Sequence, residues 1–349
     1  MKKSIFGLTY NQLETFFLKN NLNKKGANLI FNNFFKKLIF NFNIQNLSHD
    51  KQNLLSKNFN FDLPKVIFCK EEDSKANIKT RKFLLELNDG TKVESVLIPF
   101  NNKYTLCISS QVGCAMGCTF CFTGKQGFIR NLETYEIVGQ LIAVKMWLKN
   151  NFFNYRISNI VFMGQGEPLH NFDAVKSACD IFTSQYGLSL GRDKITISTV
   201  GYLPGLKKWL KEPIGVNLAL SFHCPDDAIR SKLIPLNKFY PLKEILSLIS
   251  ALPLEKKRFI TFEILLIDNV NDSIEMAKMS GELLKDIKGI INIIPFNPIP
   301  TSPYQRPSPE KVSLYCEQIK KYGLPTMIRQ TKGENILAAC GQLHSTYSA

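Results

Sequence analysis

Residues 113–124 read GCAMGCTFCFTG and place Cys114, Cys118 and Cys121 within eight residues. A closed zinc site takes four ligands and a disulfide takes two, so three thiols with no adjacent fourth call for another chemistry. A cubane 4Fe-4S cluster ordinarily takes four thiolates; three leave one iron open to bind a substrate or cofactor. Phe120 stands directly before the third cysteine, and the loop follows an apolar, strand-like stretch over 105–109.

Other residues suit a ligand held at such an iron. Gly166-Glu167-Pro168 offers close backbone approach and a carboxylate for an ammonium group. Ser198, Ser221, His223 and Asn297, with Phe222 inside the same SFHCP run, bring further donors and acceptors for a polar ligand. Taken singly, Gly164-Gln165-Gly166 also reads as a tight turn and His223 as a satisfied buried histidine. Cys340, among the small residues of AACGQL, reads by itself as a buried hydrophobe.

These residues need elements to position them. From 104 onward strand-like segments near 105–109, 158–163, 194–199, 215–221, 259–267 and 290–295 alternate with helical ones, which predicts six parallel β/α units. The candidate residues fall at carboxyl ends of strands, the face where barrel-type β/α folds build their sites. The expected fold is α/β, a partial (β/α)6 barrel, closed or partly open. Three- and four-residue spacing predicts helices over 8–20, 26–40 and 48–57. A period of two over 82–87 and 92–98, flanking Asn88-Asp89-Gly90, predicts a hairpin. The proline-rich stretch 295–309 reads as a long loop.

The 349 residues carry 44 Lys and Arg against 29 Asp and Glu, a formal charge of +15 that favours a polyanionic partner such as RNA. Residues 1–60 hold nine Lys against Glu14 and Asp50, a surplus of seven. Nine cysteines without a secretory leader, and no apolar run of membrane-spanning length, point to a cytoplasmic protein with no membrane attachment.

The ordered motifs ESVLIP (94–99), LCISSQVGCAMGCTFCFTGKQGFIRNL (106–132), MGQGEPL (163–169), ISTVG (197–201), SFHCP (221–225), IPFNP (294–298) and AACGQL (338–343) span nearly the whole chain. Together they resemble the radical S-adenosylmethionine (SAM) RNA adenine methyltransferases, which modify carbon 2 of adenine in large-subunit ribosomal RNA and in transfer RNA. The resemblance implies a 4Fe-4S cluster on Cys114, Cys118 and Cys121. It also implies S-adenosyl-L-methionine on the open iron, held by Gly166, Glu167, Ser198, Ser221, Phe222, His223 and Asn297. In that family one cofactor molecule methylates the cysteine matching Cys340. A second, cleaved at the cluster, takes hydrogen from the S-methyl, and the carbon radical adds to the ring to give a covalent protein-RNA adduct. The family's base matches Glu94 and its resolving thiol Cys107, which ends in a transient Cys107-Cys340 disulfide.

Further implications are 23S rRNA (peptidyl transferase region) and tRNA (anticodon region) as substrates, an external electron donor, a disulfide reductant and a monomeric chain. The division implied is 1–75 as a basic helical RNA-binding accessory domain, 76–103 as a hairpin linker carrying Glu94, and 104–349 as the catalytic core. Gln165, Phe222 and Cys224 depart from the usual family residues. Competing readings are the sister methylation of adenine carbon 8, a non-catalytic iron-sulfur RNA-binding protein, and a radical enzyme acting on a protein or small molecule.

Overall fold

The computed structural model of the chain describes residues 2–72, 79–100, 103–151, 156–253, 260–300 and 302–345. At its amino-terminal end β1 (Lys3–Ser4) and β2 (Phe59–Asn60) form a short parallel pair. Between them lie α1 (Tyr10–Lys19), α2 (Ala27–Phe31) with a π-turn over Asn32–Lys36, and α3 (His49–Asn58), close to the helices expected. A capping box starts α1: Thr9 Oγ1 accepts from the Gln12 N–H, and Gln12 Oε1 accepts from the Thr9 N–H at 2.9 Å. Phenylalanines fill the interior, with the Phe6 ring edge-on to Phe40 at 5.1 Å and Phe35 at 5.7 Å.

This helical region has no separate core. Its buried side chains run into the same apolar cluster as the sheet, and the turn Ile5–Gly7 packs on α5 (Thr134–Asn150). Lys51 is buried beneath it, donating to Asn23 Oδ1 and the Lys25 carbonyl with its Nζ 4.8 Å from the centre of the Phe17 ring, so it is no surface cation.

One ten-stranded sheet dominates the rest. Strands β3 (Lys65–Glu71), β4 (Arg81–Glu86), β5 (Lys92–Phe100) and β6 (Lys103–Cys107) pair antiparallel in succession. A separate antiparallel pair, β7 (Gln111–Gly113) and β8 (Phe128–Asn131), flanks the cysteine loop and its short helix α4 (Phe122–Gln126). From β6 the main ladder continues in parallel through β9 (Ile157–Phe162), β10 (Ile195–Thr199), β11 (Asn217–Ser221), β12 (Ile260–Leu266), β13 (Gly289–Pro295) and β14 (Thr326–Ile328). Crossovers are α5, α6 (Phe172–Thr183), α7 (Leu203–Lys211), α8 (Asp227–Leu233) with α9 (Leu242–Ser250), α10 (Ile274–Leu284) and α11 (Pro309–Lys320).

The six β/α units are those expected from the alternation. Two features differ. β14 adds a seventh parallel strand, and β3, inside the segment read as helical, turns the linking hairpin into a three-stranded extension. Residues 76–78 and 101–102 of that linker lie outside the described residues.

Alternation along the strands decides what faces inward. Leu106, Ile197, Leu220, Phe262, Ile264 and Ile293 join the outer apolar cluster beneath the helices. Ser198, Ser221, Glu263, Leu265 and Ile294 face the barrel interior.

Among the described residues the ladder does not return from β14 to β3, so the barrel stays open on one side. The segment after β14 crosses that side: Lys332 Nζ donates to the Pro99 carbonyl at 2.7 Å, and the Gly333 N–H to Glu72 Oε1 at 2.9 Å. The His344 N–H donates to Glu94 Oε2 at 2.8 Å. No helix among the described residues is long and apolar enough to cross a membrane.

Candidate active site

The carboxyl ends of the parallel strands open into a cleft. Cys114, Cys118, Cys121, Gly166, Glu167, Ser198, Ser221, His223 and Cys340 all line it, so nine of the thirteen expected residues meet in one place.

Backbone bonds shape the cysteine loop. The Cys114 N–H donates to the Gly127 carbonyl at 2.8 Å, and the Thr119 N–H to the Leu233 carbonyl at 3.0 Å. Gly113 has φ +72°, and a Cβ there would stand 1.8 Å from the Gly127 oxygen, so only glycine fits. Burial pushes the Cys114 thiol up to about 12 and raises Cys118 and Cys121, the last partly offset by hydrogen bonds from Gly124 and Thr123. Among the described residues no three His, Cys, Asp or Glu side chains are grouped as ligands of a single ion. A cubane spreads its thiolates over separate irons, and three soft thiols on one loop match its donor preference.

Opposite the loop, Glu167 is buried with both oxygens anchored: Oε1 accepts from the Leu169 N–H at 3.0 Å and Oε2 from the Val200 N–H at 2.9 Å. Desolvation raises its carboxyl to about 7, against the pull of the Val200 and Leu169 hydrogen bonds. Glu167 has no cation partner among the described residues and lines the cleft, so it could receive an ammonium group.

Gly166 makes that turn possible, with φ +101° and a would-be Cβ 2.6 Å from the Gln111 Cβ. Gly166→Ala is expected to lose about 1–3 kcal/mol of stability. Thermal melts should show that loss.

His223 sits in the left-handed region at φ +57°, with Nδ1 2.9 Å from the Glu263 carbonyl. The Leu265 N–H also reaches Nδ1, at 3.2 Å, so both of these backbone contacts meet the same ring nitrogen. Desolvation first, then the nearby Arg230, lower its pKa to about 3, so the ring is neutral.

Four expected residues lie elsewhere. The Phe222 side chain is fully buried against Phe262, with ring centres 6.4 Å apart, leaving only its backbone near the cleft. Asn297 donates through Nδ2 to the Cys340 carbonyl at 3.2 Å and accepts from Arg306 and Thr331, so it supports the Cys340 turn and does not line the cleft. Cys107 is buried behind the cleft with Val96, Ala338 and Leu343. Glu94 is fully buried beside Lys82, whose Nζ stands 3.0 Å from Oε1.

Cys340 is tied to the cysteine loop through the residues that follow it. The Phe122 N–H donates to the Gly341 carbonyl at 2.7 Å, and Thr123 Oγ1 donates to the Leu343 carbonyl at 2.6 Å. Burial raises the Cys340 thiol, while the Arg329 guanidinium lowers it.

Arg230, Glu263 and Arg329 were not singled out from the sequence. Buried Arg230 donates to the carbonyls of Phe222 (3.0 Å), Val200 (2.8 Å) and Ser221 (3.0 Å), and also to Asn237 Oδ1. Glu263 lines the cleft with Arg329 Nη1 3.8 Å from its Oε1. The lone carboxylate within the strand ITFEILL was a usable signal for Glu263; Arg329 follows a strand that was not recognised.

Residues 108–279 match the model of the radical SAM superfamily. The chain is 39% identical to the dual-specificity RNA methyltransferase RlmN of a Nitratiruptor species, over 98% of this chain and 97% of the relative. The chain belongs to the RlmN family. A radical SAM methyltransferase from Sphaerobacter thermophilus has the same fold, with a TM-score of 0.88 at 33% identity, covering 98% of this chain and 99% of that one. The open six-unit barrel is therefore the radical SAM fold, and the protein is an RlmN-type RNA methyltransferase whose superfamily uses a 4Fe-4S cluster and SAM.

Proposed function

We propose that this RlmN-family enzyme methylates carbon 2 of a specific adenine in 23S rRNA and of an adenine in the anticodon region of tRNAs. The observation that carries the reading is the placement of Cys340 in one cleft with Cys114, Cys118 and Cys121, while Cys107 and Glu94 pack behind the same carboxy-terminal segment. Carbon 2 of adenine is electron-poor and has no lone pair, so the methyl group must be delivered through an intermediate carrier. When bound, the cluster and SAM would supply that methyl group and a hydrogen-abstracting radical. Cys114, Cys118 and Cys121 would hold the cluster, and Glu167 the cofactor's ammonium, with Ser198, Ser221 and His223 around the remainder.

Cys340 accepts the methyl group as a thiolate. Glu94 takes the ring proton, and the Cys107 thiolate frees the product by bonding to the Cys340 sulfur. The resulting disulfide needs a reductant at each turnover. The target base must leave its stack to reach the cleft, and surface lysines of the amino-terminal helices would contact phosphates.

Nucleosides from RNA incubated with the reduced enzyme and methyl-deuterated SAM should contain labelled 2-methyladenosine by mass spectrometry. Label found only in 8-methyladenosine would establish the sister activity instead.

The Glu167 reading has its own pH signature. With a carboxyl near 7 before binding, a proton must leave for an ammonium to be received. The Kd for SAM should rise about tenfold as pH falls from about 8 to about 6. Glu167→Gln should bind weakly with that acid limb gone.

A further inference from the structure

Glu94 is held in a way that its proposed role does not by itself explain. It sits on β5 opposite Leu84, and Lys82 lies opposite Val96, two positions on, so both long side chains share one face of the antiparallel pair. Both are buried, Glu94 completely. Nζ of Lys82 is 3.0 Å from Oε1, and the His344 N–H reaches Oε2 at 2.8 Å. The ion pair is close but poorly aligned: Oε1 has no well-directed hydrogen-bond donor, leaving an open lone pair beside a cation. The other groups near the strand here, Gln165, which accepts the Glu94 N–H, and Gln126 bonded to it, are neutral. Among the described residues His344 is the other titratable side chain here, and burial favours its neutral form.

We propose that Lys82 is a positioning residue for the methyl transfer, holding the Glu94 carboxylate charged, with one oxygen open, against the segment that carries Cys340. The inference rests on Glu94 being the base. Burial alone drives Glu94 toward its protonated form, and Lys82 is the first influence opposing that. A protonated Glu94 cannot take a proton from the adduct. With Lys82 in place, the proton moves from the ring carbon to Oε1 and the C–H electron pair stays on the ring. The other oxygen, fixed by the His344 N–H, keeps the group against the carboxy-terminal segment.

Single-turnover reactions of the reconstituted full-length enzyme with RNA, run anaerobically between about pH 6 and about pH 9, test this by following the covalent protein-RNA adduct on denaturing gels. Lys82→Met is expected to resolve the adduct about tenfold more slowly at about pH 7, to recover as pH rises, and to retain S-methylation of Cys340 by mass spectrometry. Lys82→Arg should restore the wild-type profile. If Lys82→Met does not purify, Lys82→Gln carries the same expectation. A wild-type rate and acid limb in either neutral variant overturns the proposal. Glu94→Gln separates the two readings: adduct persisting at every pH supports Glu94 as the base, and normal resolution overturns that reading whatever Lys82 does.

Discussion

Cys340→Ala should lose methyl transfer to RNA by roughly 10⁴-fold or more, the scale on which removal of a covalent nucleophile acts. The three cysteines of the 114–121 loop are untouched by this change, so iron and sulfide content should match the wild type. Mass spectrometry of product RNA and elemental analysis of the reconstituted protein measure the two halves. Full methyl transfer by the variant would remove Cys340 from the reaction. Cys107→Ala makes the contrasting case: Cys340 still receives its methyl group, and the block falls later, at release of the RNA. Distinct phenotypes from two neighbouring thiols would be hard to obtain from damage to packing alone.

Arg230→Ala should have the largest structural effect. Its guanidinium gathers the carbonyls of Val200, Ser221 and Phe222 with the Asn237 side chain, binding the ends of β10 and β11 where Ser198, Ser221 and His223 face the cleft. Burial lowers its pKa to about 10, which leaves it charged at neutral pH without a carboxylate at hydrogen-bonding distance among the described residues. Truncation strands several buried acceptors at once, at a cost of about 4 kcal/mol and a Tm lower by roughly 5 °C. Arg230→Lys should recover little, because an ammonium lacks the planar fork that reaches several acceptors together. Calorimetry decides the stability claim, and a wild-type Tm in the alanine variant would contradict it.

The sequence was most legible where chemistry and periodicity coincide. Three closely spaced cysteines need no tertiary information, and buried parallel strands advertise themselves as apolar runs between helices. Legibility failed where a residue's meaning depends on register between distant strands. Phe222 belongs to a motif whose neighbours line the cleft, yet its ring turns into the core. Asn297 supports Cys340 from behind. Lys82 looked like one more lysine in a basic chain until the β4-β5 register set it beside Glu94. The amino-terminal helices looked independent because their charge pattern differs, whereas burial of Phe6, Phe34 and Phe35 joins them to the main core.

The open side of the barrel has a dynamic consequence. Where β10 to β13 meet, parting the strands would break a continuous ladder, but across the gap Lys332, Gly333 and His344 make isolated bonds to Pro99, Glu72 and Glu94. Local opening free energy follows the number of such bonds lost together. Amide hydrogens of 332–345 should therefore exchange with solvent long before those of the ladder. The Cys340 thiol therefore sits on a segment expected to part from β5 before the ladder opens, while bonds from Phe122 and Thr123 keep that segment with the cysteine loop.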